Sequence, residues 1–294
     1  MKWICSVALV CIFCWSCEKK IDLELEEQEP LLVVEASIEN DLPPQVILTR
    51  STGYFSKITP AILAQSFVRN AEVFVSNGVL THKLKEYAVP LAPGISAYYY
   101  SIDSSSLATA FVGLVDQQYS LRIVAEGKEY NAVTRIPAIS KQIDSVWWKP
   151  APFTEDTTRA IVMVKITDPP GFGNYIRYFT KINQGPFLPP ASSVFDDLFI
   201  DGTTYEVQLQ PGIDRNMVSD SIEYNFFKRG DTVQLKHSEI NKQSFDFWRT
   251  WEAAYFSIGN PFSSPSRVLG NISNGALGYF AGYANQFRTV IIPQ

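Results

Sequence analysis

The sequence predicts a mainly β protein built from two β-sandwich-like (Ig-like) domains, the second carrying one packed amphipathic helix. Three observations predict it. Short runs rich in β-branched and aromatic residues recur between turn residues along most of the chain. Asn77-Gly78 and Glu126-Gly127 sit between such runs as tight-turn signals. Only one stretch, about 239–257, sustains a helical period. The 19 Phe, 14 Tyr and 6 Trp suit sheets better than bundles.

Taken in order, the chain opens with a segment unlike the rest. Lys2 is the only charge in residues 1–16, and Ile4 to Phe13 is a nearly unbroken apolar run. Its length is that of a secretory signal's apolar region and too short to span a bilayer. It closes on Ser16-Cys17, a small residue followed by cysteine, which resembles the bacterial lipobox. Residues 1–16 then read as a signal peptide and Cys17 as the acylated N-terminus, tying the protein to a membrane. All four cysteines (Cys5, Cys11, Cys14, Cys17) lie in this stretch, so the exported body has no thiol to pair and relies on apolar burial. Residues 17–30 follow as a tether, with six acids against Lys19 and Lys20 and too few large apolar groups to fold alone.

Residues 31–138 read as the first sandwich. Its strands are LLVVEASI, PQVILTR, AEVFVS, VLTHKLKEY, SAYYYSI, QYSLRIVAEG and KEYNAVTRI. A long connection at 51–70 carries Tyr54, Phe55 and the short apolar piece PAILAQ, which suits a turn or two of helix. Pro137 to Gln142 marks a boundary. Residues 143–294 read as the second domain, with strands at QIDSVWWK, AIVMVKITD, GNYIRYFTKIN, TTYEVQLQ and IEYNFFKRGDTVQLKH. The proline-rich stretch 184–202 reads as a long surface loop. The helix at about 239–257 has Ser238 as its cap and Glu239 in its first turn. Ile240, Phe247, Trp248, Trp251, Ala254 and Tyr255 make its apolar stripe, and Gly259 with Pro261 ends it. ALGYFAGYA and FRTVIIP close the chain as strands.

Several residues together resemble a family known only as domain of unknown function 4249, found in Bacteroidota lipoproteins. The carriers are Cys17-Glu18 with Ile21-Asp22-Leu23, Leu32-Val33-Val34-Glu35, Ile143-Asp144-Ser145-Val146, Asp168-Pro-Pro-Gly171 with Asn174-Tyr175, and Gly270-Asn271-Ile272 leading to Gly275-Ala276-Leu277-Gly278-Tyr279-Phe280. The resemblance implies a two-part, mostly β lipoprotein, often encoded beside TonB-dependent outer-membrane transporters. It brings no catalytic residues. In that group an acidic stretch after the lipidated cysteine acts as a signal for the outer leaflet, so residues 18–30 point to the cell surface, with the periplasmic leaflet as the alternative.

The body offers little for chemistry. Its acidic balance, within a formal charge of −5, gives nucleic acid no electrostatic footing. His82 and His237 each stand alone, without a neighbour at metal-ligand spacing. No nucleophile elbow or phosphate-cradling loop occurs, and a carboxylate pair for glycoside hydrolysis is a matter of distance in space that sequence leaves open. Asp196, Asp197 and Asp201 share the composition of a calcium loop without its order, so solvated loop acids and no cofactor are the expectation, with a loop calcium as the minor alternative. The aromatics read mainly as core. Strand alternation, however, sends Trp147 and Trp148 to opposite faces, and Phe245 and Phe256 fall off the helix stripe. With Tyr54 and Phe55 these are the candidate docking residues. The expectation is therefore a non-enzymatic outer-membrane lipoprotein that acts as accessory or ligand-presenting partner of a TonB-dependent transporter. The alternative is a free-standing surface module that binds a glycan or peptide.

Overall fold

A computed structural model describes residues 29–53, 59–215, 225–258, 260 and 267–294. The first strands follow the alternating pattern closely. β1 (Leu32–Glu39), β2 (Gln45–Arg50), β3 (Glu72–Ser76), β4 (Thr81–Ala92), β5 (Ile95–Ser101), β6 (Gln117–Ala125) and β7 (Lys128–Ile136) turn Val34, Ile38, Leu48, Val73, Val75, Leu121, Ile123 and Ile136 into one core. In the 51–70 connection, Pro60–Ser66 forms α1, its N-cap Thr59 accepting the Ile62 amide. Glu126 and Gly127 both take positive φ and join β6 to β7 with the pair Ala125↔Lys128, as a two-residue turn requires.

The second series forms β8 (Gln142–Pro150), β9 (Arg159–Thr167), β10 (Tyr175–Ile182), β11 (Val194–Phe195), β12 (Thr204–Leu209), β13 (Phe227–Lys228) and β14 (Thr232–Ile240), then α2 (Lys242–Ser257) and β15 (Leu277–Ile291). The described strands make two sheets. One has eleven strands in the order β11-β10-β14-β15-β1-β2-β5-β4-β3-β6-β7, and the other has four, with β12 and β13 on one edge of β9 and β8 on the other. The four-stranded sheet packs over β10 and β14 through Ile143, Val162, Val164, Tyr178, Leu235 and Phe227. The molecule is thus sandwich-like and mainly β, with α2 laid across the opposite face through Phe245, Phe247, Tyr279 and Tyr283. Among the described residues no helix is long and apolar enough to cross a membrane.

Several details differ from the sequence reading. The two tail strands are one, β15. Leu277 to Tyr283 runs parallel to β1, and Ala284 to Ile291 runs antiparallel to β14. Residues assigned to a second domain at 143–294 therefore complete the first core, where Phe280 and Ala284 are fully buried. The handover is held by polar groups: Asn285 donates to Glu39 at 2.7 Å, Lys236 donates to the same carboxylate at 2.7 Å, and Asn40 Oδ1 accepts the Asn285 amide at 2.6 Å.

The helix starts later than its sequence cap. Ser238 and Glu239 stay in β14, paired with both β10 and β15, and Asn241 caps α2 by accepting the Ser244 amide at 2.8 Å. Two ladders of backbone bonds and burial outweigh a local cap worth about 1 kcal/mol. Glu239 caps no helix; it accepts the amides of Ser140 and Lys141 from the inter-sheet linker. The 184–202 stretch is less a surface loop than a folded flap. Leu188 bridges Thr180, β11 pairs β10, and Ser193 is buried. Its amides need partners once it lies against β10.

Candidate functional site

A shallow, open concavity lies on the outward face of β4, β3 and β6, and the strand register builds it. Phe74 faces Lys83 on one side and Arg122 on the other, and Arg122 in turn faces Asn131. One pleat along, Thr81, Ser76 and Ser120 form the next row. An open cleft of about 600 Å³ runs over Phe74 between Lys83, Lys85 and Arg122, walled by Asp103, Ser106 and Thr109. A second hollow of about 360 Å³ continues it across Ser120, Arg122 and Asn131.

The Arg122 guanidinium sits 4.0 Å from the Phe74 ring centre and the Lys83 ammonium 5.6 Å. The cations also touch acids at the rim: Lys83 to Glu72 at 2.5 Å, Arg122 to Glu129 at 3.7 Å and Lys85 to Asp103 at 3.8 Å. The Lys83 partner holds Glu72 below the ordinary carboxylate range, and the Ser105 hydroxyl and amide do the same for Asp103. Such exposed pairs are screened by water and contribute little to stability.

The wall is fixed from beneath by His82, which points inward and is 1% exposed. Its Nε2 accepts the Asp103 amide at 3.0 Å, which leaves the proton on Nδ1 to be donated to Thr109 Oγ1 at 2.9 Å. Burial depresses the imidazole pKa, consistent with a neutral ring. The sequence reading treated His82 as a lone histidine and missed the cleft. The Asn77-Gly78 signal located the hairpin without its register. A two-residue turn would pair Phe74 with Thr81, but Asn77 Oδ1 accepts the amides of Val79 and Leu80, and Ser76 pairs with Thr81 instead.

The acidic residues singled out from sequence divide differently. Asp197 and Asp201 converge with Asp168, their oxygens all within 4.8 Å of one another. Asp196 stays outside the group and accepts the Leu198 amide at 3.4 Å. Such a trio has ligands for a hard cation, but each acid already has protein partners. The buried Lys141 ammonium is bonded to Asp168, Gly171 donates to Asp201 at 2.6 Å, and Gly173 and Asn174 donate to Asp197 at 2.8 and 2.9 Å. Burial alone would raise Asp197, yet the Asn174 and Gly173 donors hold it below the ordinary range. The arrangement fastens the Asp168-Pro-Pro-Gly171 turn to the 196–203 loop, with Lys141 paired to Asp168.

The remaining candidates scatter. Trp148 packs on the four-stranded sheet's core with Arg229 5.0 Å from its ring, while Trp147 lies on the opposite face beneath Lys149 at 5.5 Å. Phe245, read as off the stripe, is buried and packs at a tilt against Tyr175 with ring centres 5.0 Å apart; β10 comes close enough to cover that flank of α2. Phe256 is 56% exposed and touches Tyr255 edge-on at 5.6 Å. Tyr54, Phe55 and Cys17 lie outside the described residues.

Fold and cleft together define a mainly β, sandwich-like protein with an open, preorganised polar cleft on one sheet face. The chain belongs to the family described as Domain of unknown function (DUF4249), whose model matches residues 18–289. Comparison with curated proteins gives no match. In this chain the residues that carry the family pattern have structural work: Asp168 pairs with Lys141, Asn174 binds Asp197, and Asn271 donates to both Val133 and Phe280 carbonyls, closing β7 against β15.

Proposed function

We propose that this protein is a non-enzymatic outer-membrane lipoprotein on the cell surface that presents ligand to a TonB-dependent transporter or completes its complex. The observation that carries the reading is Cys17, which closes the apolar run from Ile4 to Phe13 directly after Ser16 and opens the acidic stretch 18–30. Acyl chains on that cysteine contribute about 0.8 kcal/mol per buried CH₂, so two or more make a stable anchor. A tether of this kind holds the folded body near a membrane-embedded partner at high effective concentration, and a modest interface then suffices. The open cleft supports a binding role, and the resemblance to Bacteroidota lipoproteins supports the choice of partner.

Two measurements test this. Cys17→Ala is expected to leave the washed membrane fraction; a signal-cleaved variant that stays there would defeat the anchor. Affinity purification of the tagged protein from detergent-solubilised outer membranes is expected to recover a TonB-dependent transporter. A clean monomer that binds polysaccharide would favour the free-standing surface module.

A further inference from the structure

We propose that Lys141 and Asp168 condense into an intramolecular amide, a covalent staple between the linker before β8 and the end of β9.

Position is the first argument. β8 and β9 pair from Gln142↔Thr167 onward, so Lys141 and Asp168 stand opposite each other one step beyond the ladder, at a sequence separation of 27. Opposed residues of an antiparallel pair share a face. Their side chains are 1% and 0% exposed, and the Lys141 ammonium is bonded to Asp168 Oδ1. Among the described residues that carboxylate is its one hydrogen-bond partner, against three donors. A buried ion pair carries the desolvation cost of both charges, whereas an amide carries neither. Well-oriented groups react with effective molarities of about 10⁵–10⁸ M, and burial keeps water from the product.

The surroundings of the carboxyl are the second argument. Asp168 Oδ2 accepts the Gly202 amide at 3.3 Å, a donor placed where negative charge develops in a tetrahedral intermediate. Oxygens of Asp197 and Asp201 lie within 4.8 Å of an Asp168 oxygen. Asp197 receives the amides of Gly173 and Asn174, and Asp201 that of Gly171 alone among the described residues, so Asp201 has the freer carboxylate for carrying a proton. In the step, the ammonium first passes one proton to Asp168, giving amine and carboxylic acid. Nζ then attacks Cγ, and Oδ2 takes the charge beside the Gly202 amide. A second proton moves from Nζ through Asp201 to the protonated Oδ1, which departs as water. The third stays on the new amide nitrogen, so no oxidant or other reactant is needed.

The staple answers a need that the composition creates. All four cysteines lie in residues 1–17, so no disulfide can close a loop in the body. An amide between Lys141 and Asp168 closes residues 141–168, fixes the linker to the turn that opens at Asp168, and resists reduction.

The test is a peptide map of the full-length protein, solubilised from membranes in detergent, denatured and digested with trypsin. Lys149 precedes Pro150 and is not cut. The bonded protein should yield residues 136–159 joined to 166–177, at one water less than the summed masses, with fragmentation placing the branch at Lys141 and Asp168. Cleavage after Lys141, with 136–141 and 166–177 recovered as separate linear peptides, would overturn the proposal and leave an ordinary ion pair. Lys141→Arg keeps the charge and should give linear peptides only; a branch persisting in that variant would equally overturn it. The parent map decides even if the variant fails to fold. Asp201→Asn should lower the bonded fraction in freshly made protein about tenfold or more, and an unchanged fraction would remove Asp201 from the step.

Discussion

His237, on β14, is 1% exposed, and burial together with the positive charge of nearby Lys141 and Arg288 pushes its pKa down to about 4. The folded value lies below the unfolded one of about 6.5, so folding favours the neutral ring. Its contribution is therefore complete above pH 6.5 and is lost as pH falls towards 4, a change of about 3 kcal/mol over that window. Glu239 and Glu252 work in the opposite direction. Burial raises both, so their stabilisation is present at low pH and is lost as pH rises past about 4.5. Urea denaturation of His237→Leu beside the unaltered protein separates the two effects. The variant should lose less stability than the parent between pH 6.5 and 4; parallel curves would show that the imidazole does not govern this range. Gly278 is the other residue-scale case. At φ +99 it lets β15 approach β1, and a Cβ there would stand 1.9 Å from the Val34 carbonyl oxygen. Backbone cannot yield as a flexible side chain does, so Gly278→Ala should cost about 3 kcal/mol or more, read as a lower thermal midpoint.

At the scale of an element, α2 shows why periodicity alone misassigns faces. Its stripe was legible, and Phe247, Trp248 and Trp251 do face the sheet. Phe245 lies off the stripe on a helical wheel, yet Tyr175 at the end of β10 curls over it, and the buried arc is wider than one seam. A buried acid enlarges it further. Glu252 accepts from Ser193 at 2.5 Å and lies 4.0 Å from Arg215, while Arg177 beside it donates to the same Ser193 and stacks 3.4 Å from the Trp248 ring centre. No hydrophobicity pattern marks a carboxylate as inward; its partners on β10 and the flap make it so. Phe245→Ala should destabilise by roughly 3–5 kcal/mol and Phe256→Ala by less than about 0.5 kcal/mol in chemical denaturation. Similar losses in both would mean that Phe256 is covered in solution.

For the whole molecule, β15 is the shared part. Its residues Tyr279 to Asn285 are buried without a break, Phe280 and Ala284 in one core and Tyr279, Ala281 and Tyr283 under α2. A strand common to both halves couples them, because neither core survives its loss intact. Differential scanning calorimetry should therefore show one cooperative transition across the chain. Two resolved transitions would instead mean that the halves melt independently despite the shared strand.

By itself the sequence determined the class of structure, the position of nearly every long strand, the Glu126-Gly127 turn and the existence of α2. These follow from short-range physics: side-chain alternation on a pleated surface, the φ preferences of turn residues, and an apolar stripe at helical spacing. Tertiary structure alone decided how those pieces meet. It settled that β14 runs on through Ser238 and Glu239, that the two tail runs are one strand spanning both cores, that Asp168 and Lys141 join Asp197 and Asp201, and that Phe74 stands between Lys83 and Arg122. The physical reason is that register and partnership are set by which strand edges and buried polar groups remain to be satisfied once the chain is compact. Those groups lie tens to hundreds of residues apart, as Lys236 and Glu39 do at a sequence separation of 197. No local pattern carries that information.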